Sequence, residues 1–335
     1  MISLWRGGVL LLLVLGAGGG AHAAEEPASA VVEENPHDWL QRMVMASQQL
    51  NYDGIFVYQY DHRLDAMQVI HAAERKGERE RLFSLTGPRR EILRNNDQVV
   101  CILGDQEVVH VNRSRPRSGF PAPFPGDTAR LEKYYRFELG PAARVAGLDC
   151  RKVVVRPRDA YRYGRKVCIH VDTGLMLSSE LTGVDGRPIE RMMFTSVRFP
   201  DRIGEERLLP ALSDAGFSWK REPDMPEGGQ GRSREDSRWK VVRVPAGFEL
   251  MDHRWHRLSA HEPGVEHWVY SDGLASVSVY IEKAGQEEDS YQGATHRGAL
   301  NAWGTTVAGH YVTVVGEVPM QTVELIGKSV QARLQ

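Results

Sequence analysis

Residues 91–103 read Glu91-Ile92-Leu93-Arg94-Asn95-Asn96-Asp97-Gln98-Val99-Val100-Cys101-Ile102-Leu103. Two short apolar runs flank Asn95-Asn96-Asp97, residues that tolerate the left-handed backbone of a tight turn. The spacing predicts strand, turn, strand. A parallel pair would need a crossover of a dozen residues or more, so the two runs pair antiparallel.

The same pattern repeats on both sides. Gly54–Tyr60, Met67–Ala72, Arg81–Leu85 and Glu107–Val111 have strand composition, with Gly104-Asp105 as a further turn. A Pro-rich break with Pro116, Pro121, Pro123 and Pro125 around Phe120 and Phe124 reads as an exposed loop. Asp127–Tyr135 reads as a short helix capped by Asp127. Strands are then expected at Arg144–Arg156, Arg165–Asp172, Leu175–Thr182 and Pro188–Phe199, with turns at Asp172-Thr173-Gly174 and Asp185-Gly186. One helix precedes them, Pro36–Asn51. Asn35 can cap it, Pro36 suits its first turn, and Leu40, Met43, Val44, Ser47 and Leu50 follow the helical period.

An antiparallel sheet of about ten strands over residues 52–200 must curl or close, because a flat one leaves its edges bare. Several strands are apolar on both faces, as in Ile55-Phe56-Val57-Tyr58. A curled sheet with an apolar concave face, covered by helices, can hold an acyl chain; the same residues could instead pack a core. The candidate cleft residues are Phe56, Tyr58, Leu93, Ile102, Leu177, Leu181 and Phe194.

Trp219–Arg238 is half charged, carries Pro223, Pro226, Gly228, Gly229 and Gly231, and reads as a linker. Strands resume at Trp239–Val244, Phe248–Leu258, Glu266–Ser271 and Ala275–Lys283. Ser290–Ala302 reads as a weak helix, Tyr311–Val315 as a strand and Met320–Arg333 as a helix. The second domain is therefore a smaller α+β unit over 239–335, after a first domain over 24–218 that is mainly β.

The first 23 residues have the form of a secretory signal peptide: Arg6, the apolar run Val9–Leu15, then Ala21-His22-Ala23. The run is too short to span a bilayer. Export permits a disulfide. Cys150 and Cys168 lie on neighbouring expected strands, each on the more polar face, and are expected to pair; Cys101, in an apolar run, is expected to be a buried free thiol.

Formal net charge is −2, from 42 basic and 44 acidic residues. That argues against a nucleic-acid binder, which needs a basic excess. Four of the 12 histidines, His253, His256, His261 and His267, crowd together, but their spacing fits no metal motif, and Pro263 breaks the helix a zincin needs. No GxSxG elbow, P-loop or GxGxxG is present. The reading is of a non-enzymatic protein with no cofactor and no metal.

Two stretches of the second domain carry a resemblance: Val269-Tyr270-Ser271-Asp272-Gly273-Leu274-Ala275-Ser276-Val277-Ser278-Val279-Tyr280-Ile281-Glu282, and Thr313-Val314-Val315-Gly316-Glu317-Val318-Pro319. Three in the first domain join them: Tyr52-Asp53-Gly54-Ile55-Phe56-Val57-Tyr58, Arg144-Val145-Ala146-Gly147, and Tyr161-Arg162-Tyr163-Gly164 followed by Asp172-Thr173-Gly174-Leu175. Together they resemble the RseB/MucB family of periplasmic sigma-factor regulators, in order and over nearly all of the chain after the signal peptide. The long Gly- and charge-rich linker departs from the family pattern.

The resemblance implies an N-terminal domain similar to LolA-type lipoprotein carriers, an unclosed barrel with an apolar cleft, and a smaller C-terminal domain packed against it. It implies a periplasmic negative regulator that binds the periplasmic region of a membrane anti-sigma factor of the RseA/MucA type. Binding would shield that region from site-1 proteolysis by DegS or its relatives and keep the envelope-stress sigma factor silent. Lipid, lipopolysaccharide or mislocalised lipoprotein would release it. The alternative is a periplasmic lipid or lipoprotein carrier. The anti-sigma contact is expected near Tyr270, Ser276, Ser278 and Tyr280, on an edge strand able to pair with an extended peptide. A homo-oligomer is left open.

Overall fold

The computed structural model describes residues 34–333 except 76, 97, 114–123, 126–127, 213–214, 222–236, 257–263 and 285–291. The expected signal peptide, most of the Pro-rich break and most of the linker lie outside the described residues.

The chain opens with helix α1 (Pro36–Gln49), whose first turn is capped by Asn35 Oδ1 accepting from the His37 N–H at 2.9 Å. Trp39, Leu40, Met43 and Ala46 form its buried face. Eleven strands follow: β1 (Tyr52–Tyr60), β2 (Arg63–Glu74), β3 (Gly77–Ser84), β4 (Arg90–Asn95), β5 (Gln98–Leu103), β6 (Val108–Arg113), β7 (Tyr135–Val145), β8 (Leu148–Pro157), β9 (Gly164–His170), β10 (Met176–Thr182) and β11 (Pro188–Arg198). With β12 (Ser218–Arg221) they make one twelve-stranded sheet in the order β12-β6-β5-β4-β3-β2-β1-β11-β10-β9-β8-β7. The sheet curls until β7 approaches β11, and α1 packs on β7 and β8. This is the unclosed antiparallel sheet with a covering helix that the sequence pointed to. The turn Thr173-Gly174 fits against α1 because Gly174, at φ +81°, has no Cβ; one built there would stand 3.0 Å from the Arg42 carbonyl oxygen.

Several sequence expectations change. The segment expected as a helix over Asp127–Tyr135 holds only a 3-10 turn at Ala129–Lys133, and Tyr135 begins β7. The single strand expected at Arg144–Arg156 is a hairpin, turning at Ala146 (φ +52°) and Gly147 (φ +80°). Two successive positive φ values make a tight hairpin turn; alanine hid it, since it seldom takes that conformation. Phe124, expected in an exposed loop, is buried in the main core. Trp219, expected in the linker, belongs to β12, which pairs parallel to β6. The parallel pairing is possible because the chain after β11 runs back across the sheet, with Leu208 on Ile70 and Ala72 and with Leu212 and Phe217 against Ile102.

Cys150 and Cys168 form a disulfide, their Cα atoms 5.5 Å apart. They are diagonal neighbours: Cys150 stands opposite His170, and Lys152 opposite Cys168. As expected, both lie on the face that carries Lys152, Lys166 and His170, yet both are buried there and belong to the main core cluster. Cys101 is a free thiol but only half-buried; burial still raises its pKa.

The second half has a six-stranded antiparallel sheet: β14 (Glu249–His256), β15 (Val265–Ser271), β16 (Ser276–Lys283), β17 (Gly293–Arg297), β18 (Leu300–Val307) and β19 (His310–Gly316), ordered β14-β15-β16-β19-β18-β17. A two-stranded pair, β13 (Trp239–Val241) with β20 (Val330–Ala332), and helix α2 (Met320–Gly327) complete it. Val277, Val279 and Ile281 point inward onto Trp239, Trp268, Val323 and Ile326. The weak helix expected at Ser290–Ala302 is instead the β17–β18 hairpin, turning at Gly298 (φ +58°). The helix expected to reach Arg333 stops at Gly327, and β20 follows.

Candidate functional site

The two halves meet around one arginine. The loop between β8 and β9 carries Asp159-Ala160-Tyr161-Arg162-Tyr163, and Asp159 Oδ1 holds the loop by accepting the Tyr161 N–H at 2.9 Å. Arg162, fully buried, leaves this loop and enters the second half. Its Nε donates to Asp272 Oδ2 at 2.5 Å, and its other nitrogens donate to Asp159 and to the Ala246 carbonyl. The guanidinium also lies over the rings of Tyr134 (4.7 Å) and Phe248 (4.9 Å). Asp272 is equally buried. Its Oδ2 also accepts from Tyr135 Oη at 2.9 Å, and its Oδ1 takes the N–H groups of Leu274 and Ala275 at 2.9 and 2.7 Å. Every oxygen of the buried carboxylate is thus occupied, the condition under which such a pair persists out of water. Burial, followed by the charge of Asp272, raises the pKa of Tyr135, so its hydroxyl remains a donor.

A second set of contacts extends the junction. Thr322 Oγ1 donates to the Tyr161 carbonyl at 2.8 Å, and Asn301 Nδ2 donates to Tyr163 Oη at 2.8 Å. Arg165 pairs with Glu317 at 3.0 Å. Glu190 accepts the Ala299 N–H at 2.9 Å and the Tyr58 hydroxyl, while Asp61 accepts the Gly298 N–H at 3.0 Å. The pKa of Glu317 is raised by burial, and further by the Glu190 charge, against the opposing pull of Arg165. The junction is directional and polar, with residues from both halves committed to it.

Residues 35–212 match the MucB/RseB N-terminal domain, and residues 233–331 match the MucB/RseB C-terminal domain. The chain belongs to the MucB/RseB family. It is 30% identical over 312 residues to the sigma factor AlgU regulatory protein MucB of Pseudomonas aeruginosa, covering 88% of this chain and 90% of that one. It is 28% identical to the sigma-E factor regulatory protein RseB of Salmonella typhimurium, with the same coverage. Among solved structures, MucB in complex with MucA(peri) superposes with a TM-score of 0.69 at 27% identity, covering 90% of this chain and all of that one. Two of the stretches that carried the family resemblance, Tyr161–Gly164 and Val269–Glu282, supply Arg162 and Asp272, the centre of the junction.

The expected cleft residues divide. Register places Phe56, Tyr58, Phe194, Leu177 and Leu181 on one face of β1, β11 and β10. Phe56, Leu177 and Phe194 are packed into one cluster with Trp39, Leu40 and Met43 of α1, Tyr58 lies at its margin, and Leu181 is buried. Leu93 and Ile102 lie on the opposite face. The pairs Phe56–Met67, Val69–Leu82 and Leu82–Ile92 carry the inner face across the sheet to Ile92, so Leu93 points outward. It packs with Ile102 under Leu212 and Phe217. Alternation fixes facing within a strand but not across a turn, which is why the sequence grouped all seven. A cavity of about 420 Å³ lies elsewhere, lined by Asp53, Arg198, Arg202 and Arg207.

The expected partner residues divide as well. Ser276, Ser278 and Tyr280 lie on the outer face of β16, with Tyr280 stacked on His267 at 4.2 Å and Ser278 bonded to His267 Nε2 at 3.0 Å. Tyr270 faces the other way, into the core. Neither β15 nor β16 is an edge: each has a strand on both sides, so no peptide can pair there. Of the clustered histidines, His253 faces inward onto Glu266 at 2.7 Å, and His267 faces outward. His261 lies outside the described residues. Among the described residues no group of three His, Cys, Asp or Glu side chains is placed to hold a metal ion. No helix among them is long and apolar enough to cross a membrane.

Proposed function

We propose that this chain is a periplasmic, non-enzymatic regulatory protein that binds the periplasmic region of a membrane-spanning anti-sigma factor. By covering that region it keeps the site-1 protease away, and the envelope-stress sigma factor stays inactive. The observation that carries the reading is the likeness to MucB in complex with MucA(peri), which spans both halves of this chain. The Arg162–Asp272 junction supports it, because it joins the two halves into one body that can present a composite surface. A carrier would need only the first half.

Lipid release enters the same reading through the inner face of the first sheet. Phe56, Leu177 and Phe194 are closed over by α1, so an acyl chain reaches them only when α1 gives way. A ligand that prefers the opened form shifts the equilibrium by its differential affinity for that form. The test is a pulldown and a titration of the full chain against the periplasmic region of an anti-sigma factor of the RseA/MucA type from the same organism, with and without lipid vesicles. Binding at micromolar concentration that lipid weakens is expected. No binding would remove the regulator reading.

A further inference from the structure

We propose that the cavity at the end of β11 is an anion-binding site that takes a phosphoryl group carried on a small organic body. The site lies within the first half and needs no partner chain.

The cavity has a volume of about 420 Å³, the size of a small-molecule site. β11 stops at Arg198, and Phe199-Pro200 carries the chain out of the sheet. Asn51 Nδ2 donates to the Asp201 carbonyl at 2.8 Å and ties the following loop to the residue just before β1. The chain then makes a 3-10 turn, Glu205–Leu208, with Leu208 buried on Ile70 and Ala72 and Ile203 packed beside them. Arg198, Arg202 and Arg207 thereby reach one cavity from a strand, a loop and a turn.

Two of these arginines are set in place before any ligand arrives. Asp53, buried on β1, accepts from Gln68 Nε2 on Oδ1 at 2.7 Å. Its Oδ2 accepts from Nη2 of Arg198 at 2.5 Å and from Nη2 of Arg207 at 2.8 Å. Each guanidinium thus commits one nitrogen to Asp53. The Nε and Nη1 groups of both have no protein partner among the described residues, and Arg202 has none at any nitrogen. A guanidinium already held by a carboxylate loses less freedom when it binds a second anion.

The geometry also selects the anion. Three guanidiniums arriving from three parts of the chain suit a tetrahedral group with three or more oxygens; a carboxylate offers only two. Phe199, Pro200 and Ile203 complete the lining with apolar surface, on which the organic body of the ligand can lie. One acid opposes binding: Glu206 lines the same cavity, its carboxylate lying against Gly204, and has no ion pair among the described residues. Such a phosphoryl group comes either on an anionic lipid headgroup or on a soluble phosphate ester.

The test titrates the full chain by calorimetry with glycerol phosphate, and sediments it with phosphatidylglycerol vesicles against phosphatidylcholine vesicles. Binding that added salt weakens is expected. Arg202→Glu, at an exposed residue without a partner, should weaken it by about tenfold or more, the loss of one charge-assisted bond. Glu206→Gln should tighten it. Vesicle binding that Arg202→Glu abolishes identifies a lipid headgroup; glycerol phosphate binding without vesicle binding identifies a soluble ester; either fulfils the proposal. Acetate competing as well as inorganic phosphate overturns the phosphoryl assignment. No binding of either probe, or binding that both variants leave unchanged, overturns the site itself, whatever the anti-sigma titration shows.

Discussion

Arg162 Nε and Asp272 Oδ2 stand 2.5 Å apart, from opposite halves of the chain, with both side chains fully buried. Removing one member leaves the other charge buried without its partner, which costs more than the pair itself contributes. Asp272→Ala is therefore expected to destabilise the protein by about 3–5 kcal/mol. Asp272→Asn should cost less, because its side-chain oxygen can still accept from Leu274 and Ala275. Urea unfolding followed by tryptophan fluorescence reads both. Equal stability of wild type and Asp272→Ala would show that the junction is not held by this pair.

Asp53 gives the segment after β11 its own pH dependence. Burial opposes its charge, but hydrogen bonds from Gln68, Arg198 and Arg207 outweigh burial and hold its pKa below the ordinary carboxylate value. A carboxyl whose folded pKa is depressed contributes stability that is present above the unfolded value and is lost as pH falls through the folded one. Asp53→Asn should be less stable than wild type at neutral pH, and the gap should close as pH falls through the depressed folded pKa of the carboxyl. Thermal unfolding at a series of pH values measures the gap; a constant gap would contradict the assignment.

How much of this was legible in the sequence differs from element to element. The short alternating runs of β1 to β6 and the Asn95-Asn96 turn announced an antiparallel sheet because a period of two and a tight turn are local properties. Ala146-Gly147 did not announce itself, since alanine in the left-handed region is held there by its surroundings. Facing was legible within a strand and lost across turns, which put Leu93 and Ile102 on the wrong side. Arg162 and Asp272 are 110 residues apart, and no composition argument joins them. The only signal was that each sits in a stretch typical of the family.

Glu80 should make the protein more stable in mild acid than in mild alkali. It is enclosed on the inner face of β3, facing His71 on β2, Arg94 on β4, and near Glu78 and Tyr52. Burial pushes its pKa up to about 7, with Glu78 adding to the rise and His71 and Arg94 opposing it. Between the ordinary carboxylate value and about 7 the folded state holds a proton that the unfolded state has released. Stability therefore falls as pH rises through that window. Glu80→Gln removes the slope and should gain up to about 3 kcal/mol at pH 8, following the per-unit conversion of a pKa shift. Denaturation midpoints of wild type and Glu80→Gln at pH 5 and pH 8 decide it. Parallel curves would mean that Glu80 keeps the same proton occupancy folded and unfolded.

The Cys150–Cys168 bond closes a loop with a sequence separation of 18. In the chain-entropy account a loop of that size restricts the unfolded chain by about 3 kcal/mol. The bond is buried in the main core cluster with Leu175 and Leu177, so reductant reaches it only after local opening. Two results are expected. A strong reductant should act slowly on the folded protein and quickly in urea. The double variant Cys150→Ala, Cys168→Ala should unfold at a lower temperature than wild type, whereas Cys101→Ser, at a half-buried free thiol, should shift it little. Because the bond pins β9, whose following turn is held to α1 by Arg42 donating to the Val171 carbonyl at 2.7 Å, loosening the bond should also ease the opening that lipid requires. The double variant should then release the anti-sigma region at a lower lipid concentration than wild type. Release at an unchanged lipid concentration, despite the lower unfolding temperature, would separate the disulfide from the opening of the sheet.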